Sequence, residues 1–404
     1  MRIGSPRETY ELPNSGNPAV LRYNEIRQTI IEYLDRSTQV FVVTLVIASS
    51  TRLPSVQVGI GIHENQTNDF FTPLQQLCDG ASLGLMTGRI KINLSGTPSD
   101  PGNARYEEYV NPGASIGVQG RKGTASFGCY LKDRNSDKIY GITCAHPFTI
   151  YGEDEKVVTA QQLLEILPVG TIVTQPSDDD VKYIINEKEE FVNQQIVKIG
   201  KMESSEYPER ERRRLEKEKK AQQEQEDLLL ELKDASKVFG TTSQFYELAS
   251  VPSHSNKGYL WDYLLIEVDD ERKGDNTIDR FLCNSYRRLD HGLPCKMVGR
   301  TSGRKKGEIG EIKCDLKGVP RFPGEVFALH TVKAVDRGRF NVPGDSGCLC
   351  RYDGEEKLNT TILGMLFMES ECVEGTLLDI GFLHDFGGLL DRIKEKWALD
   401  LELC

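Results

Sequence analysis

From Gly123 onward the chain is cut into short apolar, β-branched runs, each closed by Gly, Asp or Asn: SFGCYL, IYGITCA, YLLIEV, CKMVG, GEIGEIKC, CLCRY and TILGMLFM. Runs of this length with turn chemistry between them predict an all-β barrel or sandwich. One tract breaks the pattern. Glu203 to Lys237 is dense in Glu, Lys, Arg, Gln and Leu, which are good helix formers, and one long exposed helix is expected there. Its apolar residues do not sustain a heptad, so a solvated insertion is preferred, with a protein-partner arm over 203–237 as the other reading. Leu383 to Leu399 has apolar residues at helical spacing and should pack as a helix on the barrel.

At 404 residues the chain exceeds what one core usually organises. Residues 1–110 predict a small α+β accessory region, with helical spacing over Leu21 to Leu34 and strand-like runs at Val40 to Ala48 and Val56 to Ile62. The Gly-, Pro-, Asn- and Ser-rich stretch from Ser95 to Gly120 marks the boundary, and 111–404 would be the main domain. A net charge of -11 argues against a nucleic-acid partner, since phosphate binding needs clustered cations. No apolar run is long enough to span a bilayer, and the start lacks an apolar secretory core. The expectation is a cytoplasmic protein with no membrane partner, whose ten cysteines are free thiols.

Three segments carry chemistry. In Asn341 to Cys350, NVPGDSGCLC, a serine sits among glycines that permit a tight turn, and such a turn can aim two backbone N–H groups at one developing oxyanion. The donors would be the amides of Gly344 and Ser346. In Tyr140 to Phe148, YGITCAHPF, a strand ends at His146, the best placed of the histidines to serve as a general base near neutral pH. In Gly258 to Val268, GYLWDYLLIEV, Asp262 precedes a buried apolar run. A carboxylate there needs a partner, and an imidazole N–H would satisfy it.

With these segments in the order His, Asp, Ser, the chain resembles the chymotrypsin family of serine peptidases over roughly residues 113–395. MVGRTSGRKKGEIGEI, from Met297 to Ile312, resembles the strand and turn between the family's aspartate and serine blocks. The resemblance implies a mainly β, chymotrypsin-like double barrel carrying the long helical insertion and preceded by the α+β region. It also implies a serine endopeptidase acting on protein or peptide substrates through His146, Asp262 and Ser346 and an acyl-enzyme, without a cofactor. Phe367, Met368 and Glu369 would border the specificity pocket, with Phe340 near its base. Pro147 follows the histidine where secreted animal members have cysteine, and Cys348 stands where a second glycine is usual. Two alternatives stay open. One is a catalytically inactive or latent protease-fold module acting as a protein-binding scaffold. The other is a metal site built from Cys144, His146, Cys348 and Cys350.

Overall fold

The computed structural model describes the chain except residues 1–9, 12–17, 38–40, 49–53, 61–66, 79–81, 88–89, 94–105, 122, 150–167, 204–208, 235–236, 253–257, 291, 311–312, 320–321, 336–338, 343, 355–359 and 373–379. The architecture is mainly β, with two principal sheets, helical segments and a small N-terminal α+β region.

The second sheet closes on itself. Strand Pro294–Gly299 pairs with Gly303–Ile309, which pairs with Phe322–Ala334, then Ile380–Asp385, Thr360–Cys372 and Leu349–Tyr352, which returns to Pro294–Gly299. Closure leaves no edge within the ring. Its interior is filled by Met297, Ile309, Val332, Phe340, Cys348, Leu363, Leu366 and Leu383. In the first sheet the pairing order runs through Thr124–Ser126, Ser115–Val118, Ile172–Thr174, Val238–Pro252, Gly258–Val268, Ile139–Thr143 and Cys129–Asp133. Strands from both ends of that order share one core, in which Ala125 and Tyr130 meet Ile116, Val173, Phe239 and Ile266. A third cluster joins the two sheets and takes in the buried face of the last helix.

Five α-helices accompany the strands among the described residues: α1 (Pro18–Ser37), α2 (Thr67–Cys78), α3 (Asp178–Glu203), α4 (Glu209–Asp234) and α5 (Phe386–Trp397). The single helix expected over 203–237 is instead the second arm of a pair, α3 and α4. Lys233 to Glu189 and Lys198 to Glu218 bridge the arms at 2.9 and 2.7 Å, which makes them antiparallel. The sequence does carry a signal for a break, because Pro208 has no amide hydrogen to donate and disfavours an interior helical position. The α3 segment carries no comparable local signal, because its Val, Ile, Tyr and Phe residues read ambiguously between helix and strand.

The N-terminal region has its own core of Tyr23, Ile30, Leu34, Phe41, Val43 and Leu74, yet its strands continue the sheets of the rest of the chain. Phe41–Ala48 pairs with Cys314–Val319, and Ile90–Asn93 pairs with the far end of Thr360–Cys372. α1 is tied to the strand Cys314–Val319 through a pair between the part-buried Arg27 and the buried Asp315, and through Lys317, whose Nζ lies 2.7 Å from Asp35. No helix among the described residues is long and apolar enough to cross a membrane.

Candidate active site

The site begins with strand register. Thr143 sits opposite Leu264 in the antiparallel pair of Ile139–Thr143 and Gly258–Val268, and continuing that register by two residues sets Asp262 opposite Ala145. The chain there leaves the strand through a short 3-10 turn, His146–Phe148, opened by Pro147. Asp262 fastens this turn with three hydrogen bonds. Its Oδ1 accepts from the amides of Ala145 at 2.7 Å and His146 at 3.0 Å, and its Oδ2 lies 2.5 Å from His146 Nδ1. Both side chains are fully buried. Burial alone would raise the Asp262 carboxyl, but the neighbouring imidazole and these hydrogen bonds hold it below the ordinary aspartate value.

Cys144 completes the cluster. Lying two residues before His146, it brings its thiol into the same neighbourhood, and the donor atoms of Cys144, His146 and Asp262 all lie within 4.8 Å of one another. The sulfur donates to the Leu366 carbonyl at 3.3 Å. Burial, reinforced by the Asp262 charge, pushes this thiol well above its ordinary pKa, so it rests as a neutral S–H.

This gathering corrects the serine-peptidase expectation. The nucleophile-bearing side chain grouped with His146 and Asp262 is the thiol of Cys144, while the Ser346 hydroxyl donates to the Phe367 carbonyl at 3.4 Å. The serine chemistry that the resemblance implies is therefore set aside, and trypsin-like activity goes with it. Cys144 was legible as a residue beside the histidine, but its part in the cluster depends on how the strand end delivers it to Asp262, more than a hundred positions away. The inactive-scaffold alternative gains nothing from a cluster in which thiol, imidazole and carboxylate are all in place.

Ser346 and Gly344 lie in the loop that faces this cluster. Gly344 and Gly347 adopt φ of 97° and 96°, a region that L side chains avoid. A Cβ on Gly347 would stand 2.3 Å from the Ser126 carbonyl and from Thr143 Oγ1, and 3.3 Å from the Cys144 amide nitrogen. The loop is thus pressed onto the end of the histidine strand. Asp345, fully buried between them, accepts from the amides of Thr301 at 2.8 Å and Ser302 at 3.1 Å on one oxygen, and of Val342 at 3.0 Å on the other. Its carboxyl is raised by burial despite those bonds.

The residues proposed for specificity are placed as follows. Phe340, Phe367 and Met368 are buried in the cores, and the Phe367 ring stacks on His384 at 4.0 Å. The side chain of Glu369 lies outside the described residues. The four-residue metal set does not gather: Cys348 and Cys350 belong to the second barrel's core, where Cys348 touches Met297 Sδ at 3.4 Å. Cys144, His146 and Asp262 offer sulfur, nitrogen and oxygen donors of the kind zinc accepts, although the short Nδ1 to Oδ2 bond already engages two of them.

No family model matches the chain, and no curated protein is matched by its sequence. Among solved structures it is similar to a glutamic acid specific serine protease described as using a histidine triad in substrate binding, with TM-score 0.37 and 12% identity over 73% of this chain and 100% of that one. It is also similar to Thermobifida fusca protease A, with TM-score 0.36 and 10% identity over 73% and 98% of the two chains. For Nocardiopsis protease the values are 0.37, 12%, 73% and 99%.

Proposed function

We propose that the protein is a hydrolase of chymotrypsin-like fold that cleaves peptide bonds by acyl transfer, with Cys144, His146 and Asp262 as its catalytic cluster. The observation that carries this reading is the proximity of a thiol, an imidazole and a carboxylate within 4.8 Å. Asp262 holds Nδ1 of His146, which fixes the tautomer and leaves Nε2 as the basic nitrogen. A neutral thiol needs that base at the moment of attack. The sulfur–carbon bond forms at the substrate carbonyl as the thiol proton passes to His146. The imidazolium, stabilised by Asp262, then returns the proton to the leaving amine, and water hydrolyses the thioester. The amides of Gly344 and Ser346 are the proposed donors to the oxyanion, where loss of one such donor costs about 3 kcal/mol in the barrier.

Because Cys144 is buried at rest, its sulfur meets a substrate only when the Leu366 contact opens, and its labelling by small alkylating reagents should be slow until substrate is added. Eight cysteines described as free thiols, seven of them buried, support a reducing compartment such as the cytoplasm. The test is turnover of a peptide library by wild type, Cys144→Ala, His146→Ala and Asp262→Asn. The first two should lose nearly all activity, Cys144→Ala while melting close to wild type and His146→Ala with some loss of stability because the buried Asp262 loses its partner, and Asp262→Asn should keep a weak residue of activity. Undiminished turnover in Cys144→Ala, with loss in His146→Ala, would place the nucleophile elsewhere and overturn the thiol mechanism.

A further inference from the structure

The helical hairpin is anchored by its first turn. Ser177 and three successive aspartates open α3, and each aspartate binds a different neighbouring segment. Asp178 accepts from the Gly120 amide at 2.6 Å and Asp179 from the Gly123 amide at 3.2 Å. Asp180 goes inward: fully buried, it forms a bidentate pair with Arg300 and accepts from the Ser115 hydroxyl. Carboxylates at a helix start also suit the macrodipole, but that explains only their sign and not their targets.

Arg300 is the largest fully buried side chain in the protein's described residues, and it touches the active-site loop directly. A Cβ on Gly344 would lie 2.5 Å from Arg300 Nη1, so Gly344 rests on the guanidinium. The Arg300 amide donates to Ser126 Oγ at 3.0 Å, and that hydroxyl donates to the Gly344 carbonyl at 3.1 Å. The next two amides, of Thr301 and Ser302, hold Asp345. One unbroken series of contacts therefore runs from the base of α3 to Gly344 and Asp345, the residues that set the peptide planes of the proposed oxyanion donors.

We infer that Asp180 and Arg300 are positioning residues, through which the foot of the α3–α4 hairpin holds the Gly344–Ser346 loop in its working shape. The regulation so described rests on the hydrolase reading, but the coupling itself does not. Removing one partner of a buried bidentate pair leaves the other charge uncompensated against the loop, and the loop, not the distant barrel core, should loosen.

The experiment is amide hydrogen exchange on the full chain, followed in peptides spanning Val342 to Leu349. Wild type is compared with Asp180→Asn, the milder Arg300→Lys, and a shortened hairpin in which residues 192–228 are replaced by a glycine turn. Both point variants should raise exchange in this segment by about tenfold or more while distant peptides keep their protection, and should lower kcat with KM nearly unchanged. The shortened hairpin, which keeps Asp180, should exchange as wild type does. Unchanged loop exchange in both point variants, or a rise spread evenly over the whole chain, would overturn the inference. If wild type hydrolyses nothing yet the loop-specific rise is seen, the coupling stands and only the catalytic reading fails.

Discussion

Replacing His384 by Phe should remove a specific component of the protein's acid sensitivity. The His384 ring is fully buried between Phe367, at 4.0 Å and 14°, and Trp261, at 6.0 Å and 20°. Burial pushes its pKa down from the ordinary 6.5 to about 4, with the Asp262 charge opposing and the His146 imidazole assisting. As pH falls below 6.5, the unfolded chain takes up a proton here that the folded chain refuses, so stability falls with pH. The contribution is complete above the unfolded value and gone near the folded one. A difference of that size between the two states corresponds to about 3 kcal/mol across the window. Phe nearly conserves the shape and both ring contacts, so any packing cost in the variant is independent of pH. Urea unfolding of wild type and His384→Phe at about pH 7.5 and about pH 4.5 reads the effect as a difference, because the two chains carry the same titrating groups apart from His384. The variant should gain about 2 to 3 kcal/mol relative to wild type on acidification. Parallel stability curves through the window would show that His384 is not held neutral by its burial, and would refute the argument.

Two further outcomes follow from the packing. Gly347→Ala places a Cβ 2.3 Å from a backbone oxygen at positive φ, and should cost about 3 to 4 kcal/mol; a melting temperature equal to that of wild type would show that the loop can move off the histidine strand. Arg392 donates to both oxygens of the buried Glu247, at 3.0 and 2.8 Å, with Lys396 3.2 Å away. Burial raises the Glu247 carboxyl, and Arg392 and Lys396 together more than reverse it. Arg392→Ala should therefore destabilise by about 2 to 3 kcal/mol at neutral pH, and denaturant unfolding should show this cost shrinking as pH drops below the ordinary glutamate value of 4.5. A cost that grows on acidification would refute the pairing.

The sequence by itself determined the mainly β class, because short β-branched runs closed by Gly, Asp and Asn suit nothing else, and the charged tract announced a helical element because its residues favour helix whatever surrounds them. The blocks around His146, Asp262 and Ser346 were visible for the same local reason: strand ends and glycine turns leave a mark in adjacent residues. What local pattern could not decide was partnership. That α3 pairs with α4 depends on side chains of two separate segments meeting in space, and α3 alone reads equivocally. That Cys144 joins His146 and Asp262, while Ser346 reaches the Phe367 carbonyl, depends on register and on where a strand end places its last side chains to within an ångström or so. Nothing in the residues adjacent to Arg300 or Asp180 marks either one as buried. Only the tertiary structure buries them against each other and against Gly344, because desolvation and pairing belong to the assembled core and leave no periodicity in either segment alone.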